Sequence, residues 1–333
     1  MNNVKIIAST GKKGDNYMAI LSASRRTDIP TYYGKWFMNR LREGSFMTRN
    51  SYNQKLSKYN FTKDDIDCIV FWTKNPIPFL QYVPELQSYP HYFQFTLTGY
   101  GKDLEAGLPD KEKLLEAFSN LYQMGSHIIW RYDPIVFTDK YTADWHINTF
   151  RKYAETLRGK ADRCVISFVD LYNHLGNSDM QTPLNQSDFD LNQFAKTISD
   201  IAKENGMQVY TCAEIVDLSF CGIQKGKCID PDYIEKITGK TIELGKDKAQ
   251  RKECGCIESI EMGAYNTCHN GCKYCYACPN KALNDTCLTR YDVNSPLLCD
   301  KVEPYETFTE HRLKAFAKPK YEQLSFFQLY PEG

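Results

Sequence analysis

An α/β fold built on a parallel sheet is the architecture the sequence predicts, and three observations predict it. Short apolar runs recur through the first two thirds of the chain, amphipathic stretches fill the gaps between them, and the texture changes after residue 220. The runs 18–23 (MAILSA), 67–72 (DCIVFW), 91–97 (HYFQFTL), 126–132 (SHIIWRY), 163–169 (RCVISFV) and 207–213 (MQVYTCA) read as strands. They are mostly apolar rather than alternating, as parallel strands covered on both faces should be.

The gaps read as helices. Residues 111–124 place Leu114, Leu115, Phe118, Leu121 and Tyr122 on one face, and Gly125 follows as a C-cap. Residues 146–159 and 188–205 behave alike; Ser187 or Asp188 could cap the second, which ends at Gly206. Strand–helix alternation at this spacing argues for βα units in a parallel sheet or barrel. The expected organisation is a core of such units over 1–220, a cysteine-rich segment over 221–300, and a tail over 301–333 whose SFFQLY clips onto the body. After residue 220 one short helix, near 231–238, and one further strand, 257–264 (IESIEMGA), are expected.

Composition excludes several classes. The 333 residues carry 41 basic and 41 acidic side chains, so no bulk charge favours nucleic acid or an acidic membrane. No basic–aromatic stripe appears either. No stretch approaches ~20 continuous apolar residues, and Met1 to Thr10 lacks the apolar run of a signal peptide. A cytoplasmic protein without membrane or nucleic-acid partners is the expectation.

Cysteine is the outlier. Of 13, only Cys68, Cys164 and Cys212 precede residue 220; the other ten lie between Cys221 and Cys299. An odd, clustered set in a reducing compartment points to metal or redox chemistry rather than to disulfides. Cys268, Cys272 and Cys275 have C-x3-C-x2-C spacing. Three thiolates on one loop can hold three irons of a 4Fe–4S cluster and leave the fourth open. Gly271 gives the loop freedom to wrap a cluster, and the backbone of Tyr274 could reach an adenine. Two alternatives stand beside this: zinc, with His269 and Cys278 joining in, and a closed cluster using Cys278, which precedes Pro279 as a ferredoxin ligand does.

The segment AYNTCHNGCKYCYA (264–277) resembles the motif of the radical S-adenosylmethionine superfamily, in its spore-photoproduct-lyase-like branch. In that family the cysteine loop comes after the first strand of a partial (β/α) TIM-like barrel; here it lies near the end of the chain. The segments SASRRTDIPTYY (22–33), IVFWTKNP (69–76) and FTLTGYGKDLEAGLP (95–109) resemble, in order, segments of the branch at its second strand, at its third and beyond the third. The resemblance implies a circularly permuted barrel, with strand 257–264 lying beside strand 18–23. The chain also resembles, over roughly residues 18–300, a bacterial family known only as a domain of unknown function, which carries SASRRTDIP, FWTKNP, CID, CGC and YCYA together.

The resemblance implies a radical enzyme: a 4Fe–4S cluster on Cys268, Cys272 and Cys275 splits S-adenosylmethionine to a 5′-deoxyadenosyl radical, which attacks an unknown substrate. A donor such as flavodoxin or ferredoxin would supply the electron. The alternatives are an iron–sulfur electron-transfer protein and a zinc-binding module.

Barrel sites lie at the C-terminal ends of strands. Ser24 with Arg25 and Arg26, Thr73 with Lys74, Thr96 with Thr98, Arg131 with Asp133, Asp170 with Asn173, and Glu214 occupy those places. Ser24, Thr96, Thr98 and Tyr274 are expected to bind the cofactor, and the resemblance makes Arg131 the partner of the cofactor's carboxylate; an internal Arg131–Asp133 pair is the alternative. Cys212, Cys221, Cys228, Cys254 and Cys256 form a second set, any four of which could hold an auxiliary cluster or zinc, or which could be scattered buried thiols. The resemblance favours Cys212, Cys228, Cys254 and Cys256.

Overall fold

The computed structural model describes residues 17–170, 180 and 189–319. Its centre is an eight-stranded sheet: β1 (Ile20–Ala23), β2 (Cys68–Thr73), β3 (His91–Thr96), β4 (His127–Ile135), β5 (Arg163–Phe168), β6 (Gln208–Thr211), β7 (Gln224–Lys225) and β8 (Ile260–Glu261). The spatial order is β7-β6-β5-β4-β3-β2-β1-β8, and every neighbouring pair is parallel. All six strands expected before residue 220 are present, with ends shifted by a few residues. The strand expected over 257–264 shrinks to two residues, paired Ile260 to Leu21 and Glu261 to Ser22.

The apolar character of these strands reflects the cover on their two faces. Leu21, Ile69, Phe71, Phe93, Phe95, Trp130 and Ile166 point into the larger core, beneath the helices. The alternate residues Ile20, Cys68, Val70, Tyr92, Ile129 and Val165 point the other way, onto Cys228, Ile229, Cys256 and Ile257. The cysteine-rich segment is therefore the inner cover of the sheet.

The helices include α1 (Gly34–Glu43), α2 (Lys111–Gln123), α3 (Ala143–Leu157), α4 (Leu191–Glu204), α5 (Pro231–Thr238) and α6 (Lys281–Arg290). In α2, Leu114, Phe118 and Leu121 are buried as expected, but Tyr122 is exposed and Ala117 takes part in the buried face. Helix α3 starts three residues before the expected 146, because Thr142 accepts from Trp145 N and caps it there. Asp190 caps α4, its Oδ1 accepting from Asn192 N and Gln193 N; Ser187, Asp188 and Asn173 lie outside the described residues.

Three features carry no clear signal in the sequence. Helix α6 has no apolar stripe: Leu283 and Leu288 are exposed, and Asn284 and Cys287 are its buried residues. Helix α1 is the second feature that was not anticipated, although Trp36, Phe37, Met38 and Leu41 form its buried face. The third is a sheet of four strands, in the order Tyr17–Met18, Phe308–Lys314, Leu56–Asn60 and Ser45–Arg49, which ties the C-terminal segment to the body. The expected SFFQLY clip lies outside the described residues. Among the described residues no helix is long and apolar enough to cross a membrane.

Candidate metal and cofactor site

A cavity of about 470 Å³ opens at the C-terminal ends of β1 to β6. Ser24, Lys74, Thr96, Arg131, Phe168 and Cys212 bring the six strands to its wall, and Cys268, Cys272 and Cys275 face it from the cysteine loop.

The loop is placed by the strand before it. Pairing of β8 with β1 continues in Met262 N donating to Ser22 O (3.0 Å). Glu261 anchors the junction: its Oε2 accepts from Ser22 Oγ (2.8 Å) and Arg25 N (3.1 Å), and its Oε1 accepts from Gly263 N (2.9 Å). Beyond the junction, Tyr33 donates its hydroxyl to Thr267 O (2.5 Å), and Asn270 Nδ2 donates to Asp28 Oδ2 (3.0 Å). The far side of the loop docks on the turn after β3. Gly107 N donates to Asn270 O (2.9 Å), Lys273 N donates to Leu104 O (2.9 Å), and Glu105 forms an antiparallel bridge with Cys272. Gly271 sits at φ 64°, a conformation open to glycine.

Burial pushes the Cys272 thiol up to about 11. Cys278 behaves differently from the other three. Hydrogen bonds from Cys268 and Cys275 hold it down at about 3, its Sγ lies 3.4 Å from Cys268 O, and it is not among the residues that line the cavity. Cys287 and Cys299, to which the motif assigns no role, are likewise absent from the cavity lining. Their free thiols are 2.6 Å apart, and Cys287 Sγ is 3.3 Å from the Tyr33 hydroxyl that braces the loop.

The residues expected to bind the cofactor divide. Ser24 and Thr96 face the cavity. Ser24 Oγ already accepts from Arg26 N (2.9 Å) and Thr27 N (3.3 Å), so it also shapes the turn. Thr98 does not reach the cavity wall; it is buried and donates to Glu105 Oε1 (2.9 Å). Arg131 forms the internal pair: its Nη2 and Nε donate to Asp133 Oδ2, and its Nη1 donates to Gln94 and to Cys228 Sγ (2.9 Å). Tyr274 lines the cavity by its buried ring, its hydroxyl donating to Glu105.

Glu105 is the residue sequence reasoning missed. It is 1% exposed, and its carboxylate takes Lys74, Thr98 and Tyr274 on one oxygen and Lys111 on the other. Burial alone would raise its pKa, but the two ammonium groups hold it down at about 2. It lies inside the family-like segment 95–109, whose resemblance gave it no role; only the folded loop brings positions 74, 98, 111 and 274 to it.

The second cysteine set lines the same cavity. Cys212, Cys228, Cys254 and Cys256 all face it, with Cys212 Sγ 3.4 Å from Cys228 Sγ. Cys221 lies apart, its thiol donating to Asn192 O (3.5 Å) against α4. Among the described residues, no three His, Cys, Asp or Glu side chains converge as a preformed single-ion site would require. The chemistry of the first donor set suits a larger group: three thiols on one tight loop open onto a cavity, as a cluster with one unligated iron needs.

The profile of a family described as a domain of unknown function (DUF1848) matches residues 20–277, and the chain belongs to that family. A search of curated proteins finds no match. Among solved structures, the crystal structure of a complete multifunctional pyruvate carboxylase from Rhizobium etli matches at 10% identity with a TM-score of 0.28, covering 64% of this chain and 23% of that one. The chain thus spans under a quarter of that protein's length, and a likeness this slight says nothing of function.

Proposed function

We propose that this chain is a radical S-adenosylmethionine enzyme that carries a 4Fe–4S cluster on Cys268, Cys272 and Cys275 and acts on a substrate held in the cavity. The observation that carries the reading is that Cys268, Cys272 and Cys275 all line one cavity at the strand ends, whereas Cys278, which contacts Cys268 and Cys275, is not among its lining residues. Cys268, Cys272 and Cys275 would hold the cluster, which would supply the one-electron reduction that splits S-adenosylmethionine into methionine and a 5′-deoxyadenosyl radical. On this reading the sheet is a circularly permuted partial barrel. The parallel pairing of β8 with β1 supports it, since β8 then takes the place of a first strand although it comes last.

The chain's own residues position and enclose. Tyr274, fixed by Glu105 and Lys74, closes one wall and keeps the backbone between Cys272 and Cys275 rigid. Ser24 and Thr96 offer hydroxyls to the polar part of the cofactor. Arg131, engaged by Asp133 and Cys228, orders the wall rather than binding a carboxylate. A flavodoxin or ferredoxin would deliver the electron, in the cytoplasm.

The test is electron paramagnetic resonance on reduced protein purified without oxygen, with and without S-adenosylmethionine, alongside assay of methionine and 5′-deoxyadenosine. A signal altered by S-adenosylmethionine and release of both products is expected. An iron signal indifferent to it, with no products, would replace this reading with a closed cluster and electron transfer. That second reading rests on the contact of Cys278 with Cys268 and Cys275.

A further inference from the structure

We infer that Cys212, Cys228, Cys254 and Cys256 form a second thiolate-ligated metal centre, facing the same cavity as the cysteine loop. The inference does not rest on radical chemistry at the first site.

The four thiols come from three separate segments that the fold holds in one place. Cys212 comes directly after the last residue of β6, with its N–H donating to Ile166 O (2.9 Å). The carbonyl of Cys228 is clamped from the inner face of β3, accepting from Tyr92 Oη (2.6 Å) and Gln94 Nε2 (2.8 Å). Cys256 is fixed by its carbonyl accepting from Asp247 N (2.9 Å) and by Ile257 N donating to Ile229 O (3.2 Å). The sulfurs touch in series: Cys212 to Cys228, Cys228 to Cys256, and Cys256 to Cys254. These contacts join all four thiols into one continuous chain of sulfurs.

Their surroundings distinguish these thiols from buried apolar ones. Cys68 and Cys164 are the contrast: both are buried in strands, each thiol points at the carbonyl of the next residue at 3.8 and 4.0 Å, Cys164 also meets the Tyr132 backbone, and neither touches another sulfur. Those two behave as small hydrophobes. Cys256 Sγ instead accepts two backbone donors, Cys228 N (3.2 Å) and Ile229 N (3.4 Å). Cys228 Sγ accepts from the guanidinium of Arg131. Donors aimed at sulfur stabilise thiolate, and hydrogen bonds to ligand sulfurs are what proteins use to tune such centres.

Charge supplies an independent observation. The Arg25 guanidinium lies at the cavity, over the Trp72 ring. Its Nη2 is buried without a hydrogen-bond partner, and its nearest ion-pair partner, Asp247, is 3.9 Å from Nη1. The Glu261 carboxylate that faces this turn is already taken by Ser22, Arg25 N and Gly263 N. An under-compensated buried cation is costly unless paired. Four thiolates around a doubly charged core carry net negative charge, which would face the unbonded Nη2 of Arg25.

Iron–sulfur and zinc share this donor chemistry, and one experiment separates them. The full chain is purified without oxygen, and iron, acid-labile sulfide and zinc are counted in the wild type, in a Cys268→Ala/Cys272→Ala/Cys275→Ala variant and in a Cys228→Ala/Cys256→Ala variant. The first variant removes the loop site, so what it retains reports the second alone. We expect it to keep about four irons with matching sulfide, or about one zinc, and the second variant to lose that complement. Should Cys228→Ala/Cys256→Ala fail to fold, cobalt(II) added to the apo form of the loop variant gives the answer. An intense thiolate-to-cobalt absorption band is expected, and a folded loop variant with no such band and no retained metal would overturn the inference.

Discussion

Glu105 and Cys272 are joined by a backbone bridge, and the same Glu105 carboxylate lies beneath the loop that bears Cys272. The carboxylate is the common counter-charge of Lys74 and Lys111. Glu105→Gln leaves two largely buried ammonium groups without a full partner. Removing one member of a buried charge cluster typically costs about 3–5 kcal/mol. Denaturant unfolding of the variant should show a loss in that range, together with reduced iron loading. A loss under about 1 kcal/mol would mean that water replaces the carboxylate.

Gly107 tests the docking of the cysteine loop from the other direction. A Cβ there would lie 2.8 Å from both His269 O and Asn270 O, two backbone atoms of the loop itself. Neither can swing aside as a flexible side chain would. Overpacking of this kind costs about 1–3 kcal/mol, and it falls on the loop rather than the sheet. Gly107→Ala should therefore lower iron per chain severalfold while circular dichroism stays unchanged. Normal loading would show that the loop shifts without consequence.

How far the sequence reaches is clear from particular residues. The six strand runs were legible because both faces of each are covered, which makes the run apolar throughout; Ile69 and Val70 point to opposite cores. The three-cysteine loop was legible because its donors are adjacent in sequence. Helix α6 was not, because a helix with exposed Leu283 and Leu288 carries no periodic signal. Nor was the strand Phe308–Lys314, which pairs with Leu56–Asn60 some 250 residues away: the burial of its alternate residues is slight, and its partner reads as polar chain. Glu105 and Thr98 show the same limit at the site. Thr98 sits where a cofactor-binding residue was expected, yet a carboxylate seven residues on claims it.

His146 gives a prediction about pH. It is fully buried, with Nδ1 2.9 Å from Tyr132 Oη and Nε2 3.0 Å from Val136 O, among the rings of Tyr100, Trp145, Phe137 and Phe194. Burial pushes its pKa down from 6.5 to about 4. The unfolded chain protonates this histidine first, so the folded state loses stability as pH falls. The contribution is complete above pH 6.5 and is lost between there and pH 4, to a total of roughly 3 kcal/mol. His146→Gln should be less stable at neutral pH but should show a shallower fall between pH 6.5 and 4.5 in urea unfolding. Parallel curves for the two proteins would mean that His146 is protonated in place.

Cys278 decides between an open and a closed cluster. It contacts Cys268 and Cys275, but they line the cavity and it does not. Asn284 Nδ2 donates to Cys268 O, so helix α6 holds the loop from the side where Cys278 sits. If the loop holds a cluster as proposed, Cys278 then braces the loop rather than ligating the cluster. Cys278→Ala should then keep its iron and its response to S-adenosylmethionine, whereas Cys268→Ala, Cys272→Ala and Cys275→Ala should each lose the loop cluster. If Cys278→Ala gains a response the wild type lacks, Cys278 is the fourth ligand and the wild-type cluster is closed. Iron counts and paramagnetic resonance on the four variants, prepared side by side without oxygen, make the comparison.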